Sequence, residues 1–326
     1  MLLTGAVLAG CSAAGDTASS SSAPVTATLA QESPRIVATT AAPTLPVTVA
    51  SADGSPVTVT SADRIVAVDR NGTLGQTVFA LGLGERLVGR DLATDFPEVH
   101  DLPVITPGGH QLNAEAVLGL RPTVVLTDGS IGPRSAVQQL RDAGIPVVTF
   151  PGDRTVAGVG GLVAAVGTAL GVPDQGRQLA EHAATAITDA TAQARQRATG
   201  ERVAFLYLRG TSVAMMGGKG SGADELIAAI GEVDAGVDSG LGTAYTPITP
   251  EALIVAKPDV LLLMTHGLES VGGIDGLLQV PGIAQTPAGQ NRRVVVMDDT
   301  DLLSFGADTG DVIRALGEAV HRSAGQ

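Results

Sequence analysis

Asn113-Ala114-Glu115-Ala116-Val117, running on to Arg121-Pro122-Thr123-Val124-Val125-Leu126, is written a second time. The second copy is Thr249-Pro250-Glu251-Ala252-Leu253, running on to Lys257-Pro258-Asp259-Val260-Leu261-Leu262, at an offset of 249 − 113 = 136 residues. Each copy reads as an N-cap, a short helix, a basic-Pro stop and a buried strand. Asn and Thr side chains accept from free amides of the first turn, Pro250 suits the first helical position, and a first-turn Glu favours the positive helix end. Pro122 and Pro258 bar the residue before them from continuing the helix.

Other elements repeat in the same order, with the offset drifting as loop insertions make it drift. Arg64-Ile65-Val66-Ala67-Val68 matches Arg202-Val203-Ala204-Phe205-Leu206 as a first strand. Thr77 to Leu83 matches Asp224 to Ile230 as a first helix, and Ile145-Pro146-Val147-Val148 matches Arg293-Val294-Val295-Val296 as a third strand. Strands alternating with helices imply parallel sheets with right-handed crossovers. Between the copies, Leu179, His182, Ala183, Ile187 and Ala190 recur at helical spacing. The fold expected is therefore α/β: two similar Rossmann-like lobes with parallel sheets, over 46–172 and 200–326, joined by one long helix over 173–199. Val47-Thr48-Val49 and Val57-Thr58-Val59, around Asp53-Gly54, read as a hairpin opening the first lobe.

The chain has 326 residues, 44% hydrophobic and 16% charged, so it can bury a core. A net charge of −13 argues against nucleic acid, which needs a basic footprint. One Cys excludes disulfide scaffolds, Cys-type zinc sites and iron–sulfur clusters. The opening Met1-Leu2-Leu3-Thr4-Gly5-Ala6-Val7-Leu8-Ala9-Gly10-Cys11 reads as the tail of a secretory signal, ending over 1–11 in a lipoprotein processing box with Cys11 lipidated. No Lys or Arg precedes Arg35, so a basic segment ahead of the apolar run is missing. Residues 12–45, rich in Ser, Thr, Ala and Pro, read as a disordered tether. Together these place the folded body outside the cytoplasm, held to the membrane through the lipid anchor only.

Ligands of open parallel sheets sit beyond the carboxyl ends of the strands, so two facing lobes imply a ligand cleft between them. Neither first strand is followed by GxGxxG; Gly217 to Gly222 resembles a phosphate loop only in composition; no GxSxG or HExxH occurs. No catalytic set emerges, and the chain does not read as an enzyme. Two residues stand out instead. His110 lies in Pro107-Gly108-Gly109-His110-Gln111-Leu112, on the cleft rim. Tyr207, in Phe205-Leu206-Tyr207-Leu208-Arg209-Gly210, shares a strand face with Arg209. A cation beside a phenol favours phenolate, a donor suited to ferric iron, and Tyr and His both serve as axial haem ligands. One ligand from each lobe would clamp a flat disc. His110 equally reads as a solvated loop residue and Tyr207 as a core edge; Tyr245 and His266 are the alternative ligands. Met215, Met216 and Met264 are candidates for apolar contact with a ring or, equally, for core filling.

From Arg64 to Ala319 the chain resembles the substrate-binding lipoproteins of ABC importers with a rigid interdomain helix, and among them the haem carriers of actinobacteria. The stretches carrying this are Gly109 to Glu115, Phe205 to Gly210, Gly218 to Asp224 and Gly267 to Gly273. The resemblance implies ferric haem b as transported ligand, bound by His110 and Tyr207 with Arg209 supporting the tyrosine. It implies as partners an ABC permease and ATPase, met by a monomer through Asp224 and Glu225. On the first lobe Arg134 stands where that pattern has an acid, with Glu85 or Asp128 as substitutes. Ferric siderophores and corrinoids are the alternative ligands within the superfamily; a non-transport binding or adhesion lipoprotein is the alternative outside it.

Overall fold

The computed structural model describes residues 23–36, 42–210 and 212–323. Cys11 lies outside them. The strands are β1 (Val25–Ala27), β2 (Val47–Ala50), β3 (Pro56–Val59), β4 (Ile65–Val68), β5 (Leu87–Arg90), β6 (Val124–Thr127), β7 (Val147–Thr149), β8 (Arg202–Arg209), β9 (Val213–Gly217), β10 (Val233–Asp234), β11 (Tyr245–Pro247), β12 (Val260–Met264) and β13 (Val294–Met297). The first lobe holds a parallel sheet in the order β5-β4-β6-β7, with the antiparallel pair β2–β3 beside it. In the second lobe β10, β8, β12 and β13 repeat that order, all parallel. Strands covered on both faces read as unbroken apolar runs, as β4, β6, β12 and β13 do.

The second sheet departs from the all-parallel expectation. β8 is twice as long as β4, and β10 pairs only its first two residues, Arg202 and Val203. Past that point the edge amides need another partner, which β9 supplies by folding back antiparallel along Leu206–Arg209; β11 then pairs antiparallel with β9. Tyr207 therefore sits inside a strand extension that the first lobe lacks.

The tether reading of 12–45 fails for Val25–Ala27, which pairs parallel with Val295–Met297 at the sheet edge. Val25 and Ala27 are buried while Thr26 points outward and its carbonyl accepts from Arg322 at 3.1 Å. Alternation of apolar residues, not overall composition, decides that segment.

The helices named below are α1 (Thr73–Val78), α2 (Ala114–Gly119), α3 (Arg134–Asp142), α4 (Val159–Ala169), α5 (Pro173–Arg195) and α6 (Ala223–Ala229). Asn113 caps α2 by accepting from the Ala116 amide, and Thr249 caps Pro250–Ala256 by accepting from that of Ala252. Arg121 and Lys257, before the two prolines, are left-handed (φ 47° and 43°) where extended backbone is the norm. The same departure in both lobes extends the repeat to backbone conformation. α5 joins the lobes over 23 residues. A Cβ on Gly167 of α4 would stand 2.6 Å from Gly176 Cα on α5, and one on Gly310 of the last helix 2.6 Å from the Ala186 carbonyl carbon. Backbone-close contacts of this kind leave α5 little room to slide against either lobe.

Candidate functional site

Along β8 the side chains alternate. Leu206 and Leu208 are buried, while Tyr207 and Arg209 lie half-buried on the opposite face. The ladder pairs Tyr207 with Met215, and Gly217 with Tyr245, so Tyr207, Arg209, Met215 and Tyr245 share one face. Met216 points the other way into the core, 1% exposed, which corrects its candidacy as a ring contact. Gly217 sets no side chain opposite Tyr245, and the two tyrosine rings meet edge-on with centroids 5.7 Å apart. Tyr245 is edge-on to Phe205 at 6.5 Å.

Arg209 lies with its guanidinium carbon 4.6 Å from the Tyr207 ring centroid, a cation–π contact. It donates no hydrogen bond to the phenol oxygen. Its Nη2 donates instead to Asp299 at 2.8 Å and lies 3.7 Å from the Met264 sulfur, while Nη1 donates to the Leu208 carbonyl. Tyr245 donates its hydroxyl to the Ser221 carbonyl at 3.3 Å, and burial pushes its pKa up, with Tyr207 and Asp224 adding to the shift and Arg70 opposing it. Tyr245 is thus a neutral donor. His266 is exposed; its amide donates to Asp299 at 3.0 Å and its Nδ1 lies 3.4 Å from the same oxygen.

The first lobe presents His110 exposed, just past a single turn over Pro107–Gly109. Its carbonyl accepts from Gly132, and Leu112 donates back to the Gly132 carbonyl, so the loop is laced across the end of β6. Leu92, half exposed, reaches toward Gly109 and leaves apolar surface beside the histidine. Below this rim the carboxyl ends of β4, β5 and β6 carry Asp69, Asp91 and Asp128 around Arg154. Arg154 pairs with Asp128, and its Nη2 is 3.9 Å from Asp69. Asp69 accepts from the amides of Asn71, Thr73 and Leu74 and so starts α1 at Thr73, earlier than the periodicity predicts. Burial, then the charge of Asp69, push Asp91 up to about 7.

The lobes meet at these strand ends. The Thr73 hydroxyl donates to the Ser304 carbonyl, and the Val156 amide donates to Glu225 at 3.4 Å. Glu225 therefore faces the other lobe. Asp224 turns back into its own loop, accepting from the amides of Gly220 at 2.8 Å and Gly222 at 2.9 Å. Neither substitute acid on the first lobe suits a cleft rim. Asp128 is buried against Arg154, and Glu85 precedes β5, at the amino end of the sheet. The sequence did not single out Asp299, Asp69 or Asp91, and offered Asp128 only as a docking acid. Their signal is position: Asp69, Asp91 and Asp128 stand directly after a strand, and Asp299 two residues past one.

A family model described as periplasmic binding protein matches residues 65–300. A solved structure of the haem-binding protein HmuT is 38% identical, with TM-score 0.84 over 88% of this chain and 94% of that one. Solved variants of that protein replace a histidine, a tyrosine and the arginine two residues beyond the tyrosine by alanine. The periplasmic haem-binding protein RhuT from Roseiflexus sp. RS-1, in apo form, is 38% identical, with TM-score 0.74 over 81% of this chain and all of that one. YvrC of Bacillus subtilis (strain 168), an uncharacterized ABC transporter substrate-binding lipoprotein, is 24% identical over 250 residues, 76% of each chain.

Proposed function

Because the chain belongs to the periplasmic binding protein family, we propose that it is an extracytoplasmic haem-binding protein that delivers haem to an ABC importer. One observation carries this reading: a Tyr-x-Arg pair on the open face of β8, with the guanidinium stacked on the phenol ring, in a chain 38% identical to proteins that bind haem. The cargo is ferric haem b, taken between His110 of one lobe and Tyr207 of the other. The cation over Tyr207 favours an anionic oxygen toward iron, the neutral phenol of Tyr245 stands at its edge, and Met264 and Met215 supply adaptable apolar contact.

The protein acts as a monomer on its cargo, without catalysis. Cys11 carries the lipid that holds it to the outer face of the cell membrane. Its partners are a permease and its ATPase, which take the haem from the cleft. Titration of the purified apo-protein with hemin is expected to give a Soret band saturating at one equivalent. A ferric siderophore and cobalamin are expected to give no saturable change. Saturation by either of these, with none by hemin, would replace this reading with the corresponding ligand.

A further inference from the structure

Asp299 has no task in the ligand reading above, yet it holds that site together. It stands just past β13 with its side chain only 18% exposed. One oxygen accepts from Arg209 Nη2 at 2.8 Å. The other accepts from the amide of His266, which follows β12, at 3.0 Å. A single carboxylate thus ties together the carboxyl ends of β8, β12 and β13. The remaining bonds of Arg209 are to the adjacent Leu208 carbonyl and, at 3.7 Å, to the Met264 sulfur. Neither fixes the end of a side chain with this much rotamer freedom, whereas a charge-assisted bond does. The stacking on Tyr207 at 4.6 Å is itself a weak contact at a part-exposed site.

We infer that Asp299 is the positioning residue of the haem site: it holds the Arg209 guanidinium on the ring of Tyr207. The inference rests on the reading of Tyr207 as the tyrosine that faces iron. Its test has a sign that separates positioning from simple charge. The carboxylate's own charge opposes ionisation of a nearby phenol, so an acid acting only through charge would make the phenol ionise more readily once removed. An acid that positions Arg209 does the reverse, because its loss takes the cation off the ring.

The chain has two tyrosines and no tryptophan, so Tyr245→Phe leaves Tyr207 as the sole source of tyrosinate absorbance. Ionisation is followed against pH in the full-length haem-free protein. Removing Arg209 (R209A) is expected to raise the midpoint by about half a pH unit. Asp299→Ala is expected to raise it by less, because losing the carboxylate's own charge offsets part of the rise, and the R209A/D299A double variant is expected at or below the R209A midpoint. Asp299→Asn drops the charge but keeps an acceptor for the His266 amide. It is expected to move the midpoint the same way by less, and it serves if the alanine variant does not fold. An unchanged or lowered midpoint in the Asp299 variants overturns the inference, as does an R209A midpoint equal to the parent's. Because no haem is present, these outcomes stand apart from the hemin titration, which alone decides the ligand.

Discussion

Gly217→Ala tests whether the bare backbone opposite Tyr245 is what lets the site close up. An added methyl would stand 2.9 Å from a Phe205 ring carbon, 3.1 Å from Ser221 Oγ and 3.3 Å from Ser221 Cβ. Phe205 is fully buried and Ser221 is 6% exposed, so neither has free space to retreat into. Alanine in place of a strand glycine recovers ~0.5–1 kcal/mol of backbone entropy. Overpacking a filled core costs ~1–3 kcal/mol. Overpacking wins, and the net loss expected is ~1–2 kcal/mol, a fall of about 2–4 °C in Tm for a chain this large. The displaced ring of Phe205 pushes on Tyr245, and through it on Tyr207, so hemin affinity is expected to drop several-fold. Urea unfolding gives the first quantity and hemin titration the second. A Gly217→Ala protein as stable as the parent, with the same hemin spectrum and affinity, would refute the packing argument.

Burial raises Asp91 and Asp301 to about 7 and Asp308 to about 6, against an ordinary carboxyl near 4. The folded chain therefore holds these protons more tightly than the unfolded chain, so their contribution is complete below pH 4 and is lost as pH rises through 6 to 7. The stability of the haem-free protein, and with it Tm, is expected to fall from pH 5 to pH 8, the stability by up to about 1.4 kcal/mol per pH unit for each group still titrating; a flat or rising calorimetric profile would contradict this. Asp53, held low chiefly by its Ser55 hydrogen bond, acts with the opposite sign and only below that window. Asp224→Ala should cost about 1 kcal/mol in urea unfolding by freeing the Gly220 and Gly222 amides; no loss would show that the carboxylate does not hold the loop. With α5 locked against both lobes, scattering curves with and without hemin should superimpose apart from a small loss of cleft volume, and a large compaction would refute the rigid helix.

The repeat was readable because its signals are local. Caps at Asn113 and Thr249, prolines at 122 and 258, and apolar runs at β6 and β12 each act within a few residues. Tyr207 and Arg209 share a face by strand period alone, so their pairing needed no tertiary information. What stayed hidden depends on distant partners. The long β8 is stabilised by β9 folding back on it, and Val25–Ala27 becomes a strand only because β13 offers an open edge some 270 residues away. The partner of Arg209 is an acid 90 residues on, and no spacing rule connects them. Asp224 looked like a surface charge because its acceptors' donors are loop amides, which sequence does not locate in space.

The central claim is that iron meets a phenolate from Tyr207 on one lobe and His110 on the other. The most direct measurement is the visible spectrum of hemin-loaded Tyr207→Ala beside that of His110→Ala. Tyr207→Ala should lose the phenolate-to-iron charge-transfer band, whereas His110→Ala should keep that band while its haem dissociates faster. A Tyr207→Ala spectrum identical to the parent's would contradict the account.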